Sequence, residues 1–135
     1  MRRRTLLATP FLLAATPAPT GIRLAFATHV FTATLNTTPQ AQDLASLLPL
    51  TLEIDDYSTN EKITHLPRKL TEESPAPFTN EAPGDIGYYA PWGNLALYHG
   101  PYRWSRGLFR LGRLDAGPDP LLTRGKFPLR IERAA

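Results

Sequence analysis

The stretch Gly84-Asp85-Ile86-Gly87-Tyr88-Tyr89-Ala90-Pro91-Trp92-Gly93-Asn94-Leu95-Ala96-Leu97-Tyr98 decides the reading of this chain. Two aromatic or apolar runs flank Pro91-Trp92-Gly93-Asn94, where proline presets one backbone angle and glycine and asparagine tolerate left-handed ones. Two such runs on either side of a turn read as a β-hairpin. Side chains alternate along a strand, so Tyr88 and Tyr89 point to opposite faces, one packed inside and the other turned outward.

The same alternation recurs on both sides of that segment. Ile22, Leu24 and Phe26 alternate with polar or small residues, and so do Phe31, Ala33 and Leu35, which predicts a second hairpin. Its turn, around Ala27-Thr28-His29, lacks the glycine or Asn-Gly pair of a tight hairpin and is expected to be strained or slightly longer. Leu50, Leu52 and Ile54 make another strand, followed by a polar turn over Asp55-Asp56-Tyr57-Ser58-Thr59-Asn60. Ile63 and Leu66 suggest a short buried segment before Pro67, and Thr71 to Pro83 read as a long loop. Leu108 to Leu114 and Phe127 to Ile131 supply two more strands. One helix is clear, at residues 38–48. Thr38 caps it, Pro39 takes the first helical position, and Ala41, Leu44, Ala45 and Leu48 share one face. With about seven short strands, one helix and no internal repeat, the chain is mainly β, a small closed or nearly closed barrel.

Composition narrows the chemistry. The 135 residues suit one domain, and 42% hydrophobic against 20% charged residues supply a core. Fourteen prolines and nine glycines exclude a long-helix or coiled-coil protein, since a proline inside a helix costs ~3 kcal/mol. There is no cysteine, which removes disulfides, thiolate metal sites and cysteine nucleophiles.

Met1-Arg2-Arg3-Arg4 followed by Leu6 to Ala15 has the form of a secretory signal, a basic start and an apolar run too short to cross a bilayer. Arg3-Arg4-Thr5-Leu6-Leu7 also fits the twin-arginine export pattern. The reading is a signal over residues 1–20 and a barrel domain over 21–135. It places the protein in the periplasm or outside the cell, with no stable membrane insertion after the signal is removed. A misplaced start codon or a basic tail is the competing reading. Without Arg2, Arg3 and Arg4 the chain carries 12 basic and 12 acidic residues, so its high isoelectric point does not argue for nucleic acid. Residues 21–85 hold nine acids against four bases, and residues 86–135 hold eight bases against three acids. Surface ion pairs between the two halves are the expectation.

The Gly84–Tyr98 segment resembles the bacterial cyclophilin-like domain family. The likeness extends to Phe31-Thr32-Ala33-Thr34-Leu35, Leu47-Leu48-Pro49-Leu50, Glu61-Lys62-Ile63 and Leu66-Pro67-Arg68-Lys69-Leu70. It continues through Ser105-Arg106-Gly107-Leu108 and Arg110-Leu111-Gly112-Arg113-Leu114-Asp115. It implies a small cyclophilin-type barrel with short helices at its ends, an export signal, and no assigned biochemical role. True cyclophilins isomerise Xaa-Pro bonds with an arginine among an aromatic, a glutamine and a histidine. No Phe-His-Arg-x-Ile motif occurs here, and Arg23, Arg68 and Arg106 do not sit in that pattern. The resemblance therefore carries fold far better than isomerase activity.

Tyr88, Tyr89, Trp92, Tyr98, Tyr102 and Trp104 fall within seventeen residues. Two readings stand: a core aromatic with an aromatic corner holding the hairpin, or a ligand surface built from Tyr57, Tyr89, Trp92, Asn94 and Arg106. Exposed rings stack on peptide, aromatic or sugar groups, and the amide and guanidinium orient polar edges. Arg110 and Arg113 are expected on opposite strand faces. Asp55-Asp56 beside Glu53 lack the glycine-centred loop of a calcium site, and His29, His65 and His99 form no ligand motif. No GxSxG, P-loop or GxGxxG is present. The reading assigns no catalytic residue, no metal and no cofactor. It predicts an exported barrel that binds a small ligand or peptide. A weak prolyl isomerase and an interaction module for a partner protein are the alternatives.

Overall fold

The computed structural model describes residues 16–134; the expected signal over Met1 to Ala15 lies outside the described residues. Thr16 to Pro19 are exposed and irregular, and the first strand starts at Thr20. The strands are β1 (Thr20–Phe26), β2 (His29–Leu35), β3 (Leu50–Tyr57), β4 (Glu61–His65), β5 (Asp85–Tyr89), β6 (Asn94–Tyr98), β7 (Leu108–Leu114) and β8 (Phe127–Arg133). Neighbouring strands are all antiparallel, and the order β1-β2-β7-β5-β6-β4-β3-β8 closes into a barrel when β8 pairs with β1. Closure gives every strand a hydrogen-bonded neighbour on both sides. Ile22, Leu24, Leu35, Ile54, Ile86, Tyr88, Leu97, Leu111 and Ile131 fill the interior, each at most 1% exposed.

The local signals translate directly into these elements. The β1–β2 turn has two residues, with Phe26 opposite His29, and Ala27 has φ +52°. A Cβ in the left-handed region is strained, as the turn's lack of glycine foretold. Helix α1 (Pro39–Leu47) begins where expected: the Thr38 hydroxyl accepts from the Ala41 N–H at 3.3 Å. Its buried residues are Gln40, Ala41, Leu44 and Ala45, while Leu48 lies just past its end and is only half-buried. The face packs against β2 and β7.

Three expectations need correction. Asp55, Asp56 and Tyr57 belong to β3, paired with Ile63, Lys62 and Glu61, and the turn itself is only Ser58 to Asn60. On β4 it is Lys62 and Thr64 that face inward, at 0% and 1% exposure, and Ile63 that faces outward. Lys62 can occupy the interior because its charge is met there. Its Nζ lies 2.8 Å from Asp56 and 3.0 Å from the Gly125 carbonyl, with the rings of Phe26 and Phe127 at 5.4 and 5.7 Å. Buried ammonium groups persist only with such partners. Finally, Arg110 and Arg113 share a face. Gly87 pairs with Arg110 and Ile86 with Gly112, so Leu111 is an extra residue, and this β-bulge resets the alternation.

The bulge lets both arginines reach Asp85, at 3.4 Å from Arg110 and 2.8 Å from Arg113. Asp85 is fully buried and also accepts from the Tyr102 hydroxyl at 2.7 Å and the Ala82 N–H at 3.0 Å. Burial alone would raise its pKa; the Tyr102, Ala82 and Arg113 bonds outweigh it and hold the carboxyl below its ordinary value. The acidic and basic halves do interleave, through Asp85 with Arg110 and Arg113, Asp56 with Arg124, and Glu53 with Lys126.

Candidate ligand site on the outer barrel face

Beyond the interior core, the structure carries a second apolar cluster on the outside of the barrel. Across β4, β6 and β5 the outward rows are Glu61 opposite Tyr98, Ile63 opposite Ala96 opposite Gly87, and His65 opposite Asn94 opposite Tyr89. Ala96, Tyr98 and Leu108 are buried although they face away from the interior, with Phe78, Tyr89, Tyr102 and Trp104 packed against them. Gly87 makes room for this cover, since a Cβ there would sit 3.0 Å from Leu108 Cδ1 and 3.5 Å from Tyr98 Cε2.

The connection from His99 to Gly107 forms one wall, and specific bonds hold it. The backbone N–H groups of His99 and Gly100 donate to the Asn60 carbonyl, and the Asn60 amide donates to the Pro101 carbonyl at 3.0 Å. Tyr102 stacks on Tyr98, rings 3.6 Å apart and 5° from parallel, and its hydroxyl ends on Asp85. Trp104 Nε1 donates to the Leu108 carbonyl at 3.0 Å. On the opposite side, the β5–β6 turn is shaped by Gly93 at φ +70°, whose N–H donates to the Tyr89 carbonyl at 2.9 Å. Glycine takes that left-handed conformation without strain, so the chain reverses within four residues and leaves Trp92 at the tip.

Between these walls lies a cavity of about 230 Å³, lined by Tyr57, Glu61, Ile63, Tyr89, Trp92, Asn94, Tyr98, Ser105 and Leu108. Four of the five residues singled out from the sequence, Tyr57, Tyr89, Trp92 and Asn94, therefore share it. Tyr57 and Tyr89 both meet Trp92 edge-on, at 5.4 Å and 82° and at 5.5 Å and 81°. Trp92 is 51% and Tyr57 42% exposed. The fifth residue, Arg106, is exposed and borders a neighbouring cavity of about 340 Å³ with Pro75, Ala76, Pro77 and Trp104. Ser105 and Arg106, adjacent in the chain, thus serve different cavities. Larger depressions of about 390 Å³ beside β2 and β7 and about 430 Å³ beside α1 have no aromatic wall among their described lining residues.

The polar lining of the aromatic cavity is unusual. Asn94 is buried, not exposed; its Nδ2 donates to the Leu95 carbonyl, and its Oδ1 has no partner among the described residues. Glu61 stands in register between Tyr57 and Tyr98, and burial pushes its pKa up. Burial first, then the charges of Glu61 and Asp85, push the Tyr98 hydroxyl up as well. Glu61, Ile63, Ser105 and Leu108 escaped the sequence reading as site residues. Cross-strand register brings in Glu61, Ile63 and Leu108, the connection from His99 to Gly107 brings in Ser105, and no local pattern marks either.

Among the described residues no cluster of three or more histidine, aspartate or glutamate side chains could hold a metal ion. His29 shares a hydrogen bond with Thr123 at 2.7 Å, and His65 is exposed on the outer face. No helix among the described residues is long and apolar enough to cross a membrane.

A sequence model described as the cyclophilin-like family matches residues 24–132. No curated protein matches the chain. Among solved structures, the solution structure of a hypothetical protein from Archaeoglobus fulgidus is similar, at 16% identity and a TM-score of 0.71, over 90% of this chain and 100% of that one. At that identity the likeness speaks for the fold.

Proposed function

The chain belongs to the cyclophilin-like family, and from that premise we propose that it is an exported barrel that binds a small ligand or a peptide segment in its aromatic cavity, with no chemistry of its own. The observation that carries this reading is the convergence of Tyr57, Tyr89, Trp92 and Asn94 on one cavity of about 230 Å³. Two of the large hydrophobic side chains left exposed, Tyr57 and Trp92, stand in it together. Concave sites with aromatic walls and a few placed polar groups are where small ligands bind. A ring that only completed a core would be covered instead.

A ligand screen by thermal shift on the mature domain tests it. Binding stabilises the folded state by RT ln(1 + [L]/Kd), about 2.7 kcal/mol at a hundredfold excess over Kd. Trp92→Ala should leave the melting temperature nearly unchanged and abolish the ligand-induced shift. A large loss of stability with an unchanged ligand response would make Trp92 a structural residue and sink the reading.

Export rests on the basic start and the apolar run of residues 2–15, and on the exposed segment Thr16–Pro19 ahead of β1. A cut ahead of Thr20 would leave every strand whole. Fractionation and N-terminal sequencing test it, and an intact Met1 on a cytoplasmic protein refutes it. Weak prolyl isomerisation is the second reading, supported by the barrel type and by a reaction that needs no nucleophile or metal. Arginine is missing from the described lining of the aromatic cavity, which weighs against it. An NMR exchange assay on a Xaa-Pro peptide separates the two.

A further inference from the structure

We propose that the ligand of the aromatic cavity is an organic cation, an alkylammonium or guanidinium head bearing N–H donors, held against the rings of Tyr57, Tyr89 and Trp92 with Glu61 as counter-charge. This rests on the binding reading above and names the chemistry of what binds. Aromatic faces carry negative potential and attract a cation lodged over them. With Tyr57 and Tyr89 both near right angles to Trp92, the rings meet as separate walls and do not stack into one slab. Glu61 stands in register between Tyr57 and Tyr98, half-buried, and forms no salt bridge among the described residues. The Asn94 Oδ1, closed off from solvent behind the cavity wall, has no donor among the described residues and adds no positive charge to the site.

The unmet needs of the cavity thus have one sign. An anion would face a carboxylate and ring faces of like potential. A neutral apolar group would take water from the Glu61 carboxylate and give it no donor in return. A cation with N–H groups answers the carboxylate and the rings together. The same barrel already solves this problem internally, where the Lys62 ammonium sits 2.8 Å from Asp56 and 5.4 and 5.7 Å from two phenylalanine rings. Inside, the chain provides its own cation; in the outer cavity it provides the rings and the carboxylate alone. A volume of about 230 Å³ admits a charged head and a short alkyl chain, free or as the side chain of a peptide.

The test titrates n-butylammonium, acetyl-lysine methylamide, n-butanol and butyrate into the mature domain at constant ionic strength and neutral pH. Amide and indole resonances of residues 57, 61, 92 and 94 report binding. The two cations should move these resonances, butanol and butyrate far less, and Glu61→Gln should weaken the cations by about tenfold or more. Glu61→Gln is nearly isosteric, and its spectrum reports whether the fold is intact. Trp92→Leu should weaken the same probes as an independent check. The stronger of the two cations tells a free amine from a peptide side chain. If butanol matches butylammonium, or Glu61→Gln keeps full affinity, the cation inference falls while the cavity remains a binding site. If no probe moves these resonances, the cation inference falls, and the thermal-shift screen alone decides the binding reading.

Discussion

Replacing Asp85 by asparagine should destabilise the barrel by about 2–4 kcal/mol near neutral pH. Asp85 is fully buried; Oδ2 accepts from the Tyr102 hydroxyl and the Ala82 N–H, and Oδ1 from Arg113 Nε at 2.8 Å. Asparagine keeps the shape but must turn an NH₂ toward one of these sets of donors. The Ala82 N–H cannot move, whereas Arg113 is 54% exposed and can swing into water, so the NH₂ faces Arg113. The loss is then the charge-assisted bonding to Arg113, ordinarily about 1.5–3 kcal/mol for each bond to a charged group and discounted here for solvent at the arginine. Asp85→Ala strands Tyr102 and Ala82 as well and should cost about 3–5 kcal/mol. Because the folded-state pKa of Asp85 is lowered, its contribution is full above the unfolded value and fades as pH falls through and below the carboxylate range. Urea unfolding followed by tryptophan fluorescence, near neutrality and at about pH 3, reads both effects. The gap between wild type and Asp85→Asn should narrow in acid. Exposed Glu72→Gln is the control and should stay within about 0.5 kcal/mol of wild type. A neutral-pH effect of Asp85→Asn no larger than that control, or a gap unchanged in acid, would refute the account.

Other outcomes follow from the same geometry. Leu44→Ala, at a side chain with 0% exposure, should cost about 2–5 kcal/mol in denaturant unfolding, and a wild-type midpoint would mean the helix face does not pack. Gly112→Ala should disrupt the β2–β7 seam, because a Cβ would press on the Thr34 carbonyl and lie 2.9 Å from Leu35 Cα; loss of dispersed amide resonances is the readout. Glu61→Gln should raise stability near neutrality. The raised folded pKa of Glu61 means its favourable contribution exists at low pH and is lost as pH rises, so the advantage of glutamine should vanish in acid.

Some of this architecture was legible and some was hidden for identifiable reasons. Ile22, Leu24 and Phe26 announce a strand by alternation, and Thr38-Pro39 announce a helix start by capping, because both signals concern residues within one turn or one pleat of each other. Lys62 was misleading: a charged residue reads as outward, and its inward position depends on Asp56 and Gly125, the latter 63 residues away. Arg110 and Arg113 were assigned to opposite faces since strict alternation cannot anticipate the extra residue at Leu111. Arg106 was grouped with Trp92 by closeness in the chain, yet the loop directs Ser105 and Arg106 into different cavities.

By itself the sequence determined most of the strands, the 84–98 hairpin, the helix, the opposite facing of Tyr88 and Tyr89, and the family. These follow from short-range sterics, capping and side-chain period, which act between near neighbours. Tertiary structure alone decided that Leu24 lies opposite Ile131, that Glu61 stands between Tyr57 and Tyr98, and that Asp85 gathers two arginines and a tyrosine. Such pairings join residues far apart in the chain. Their register is set when eight strands close on one shared core, where a slip of one residue would turn buried side chains outward along the whole strand.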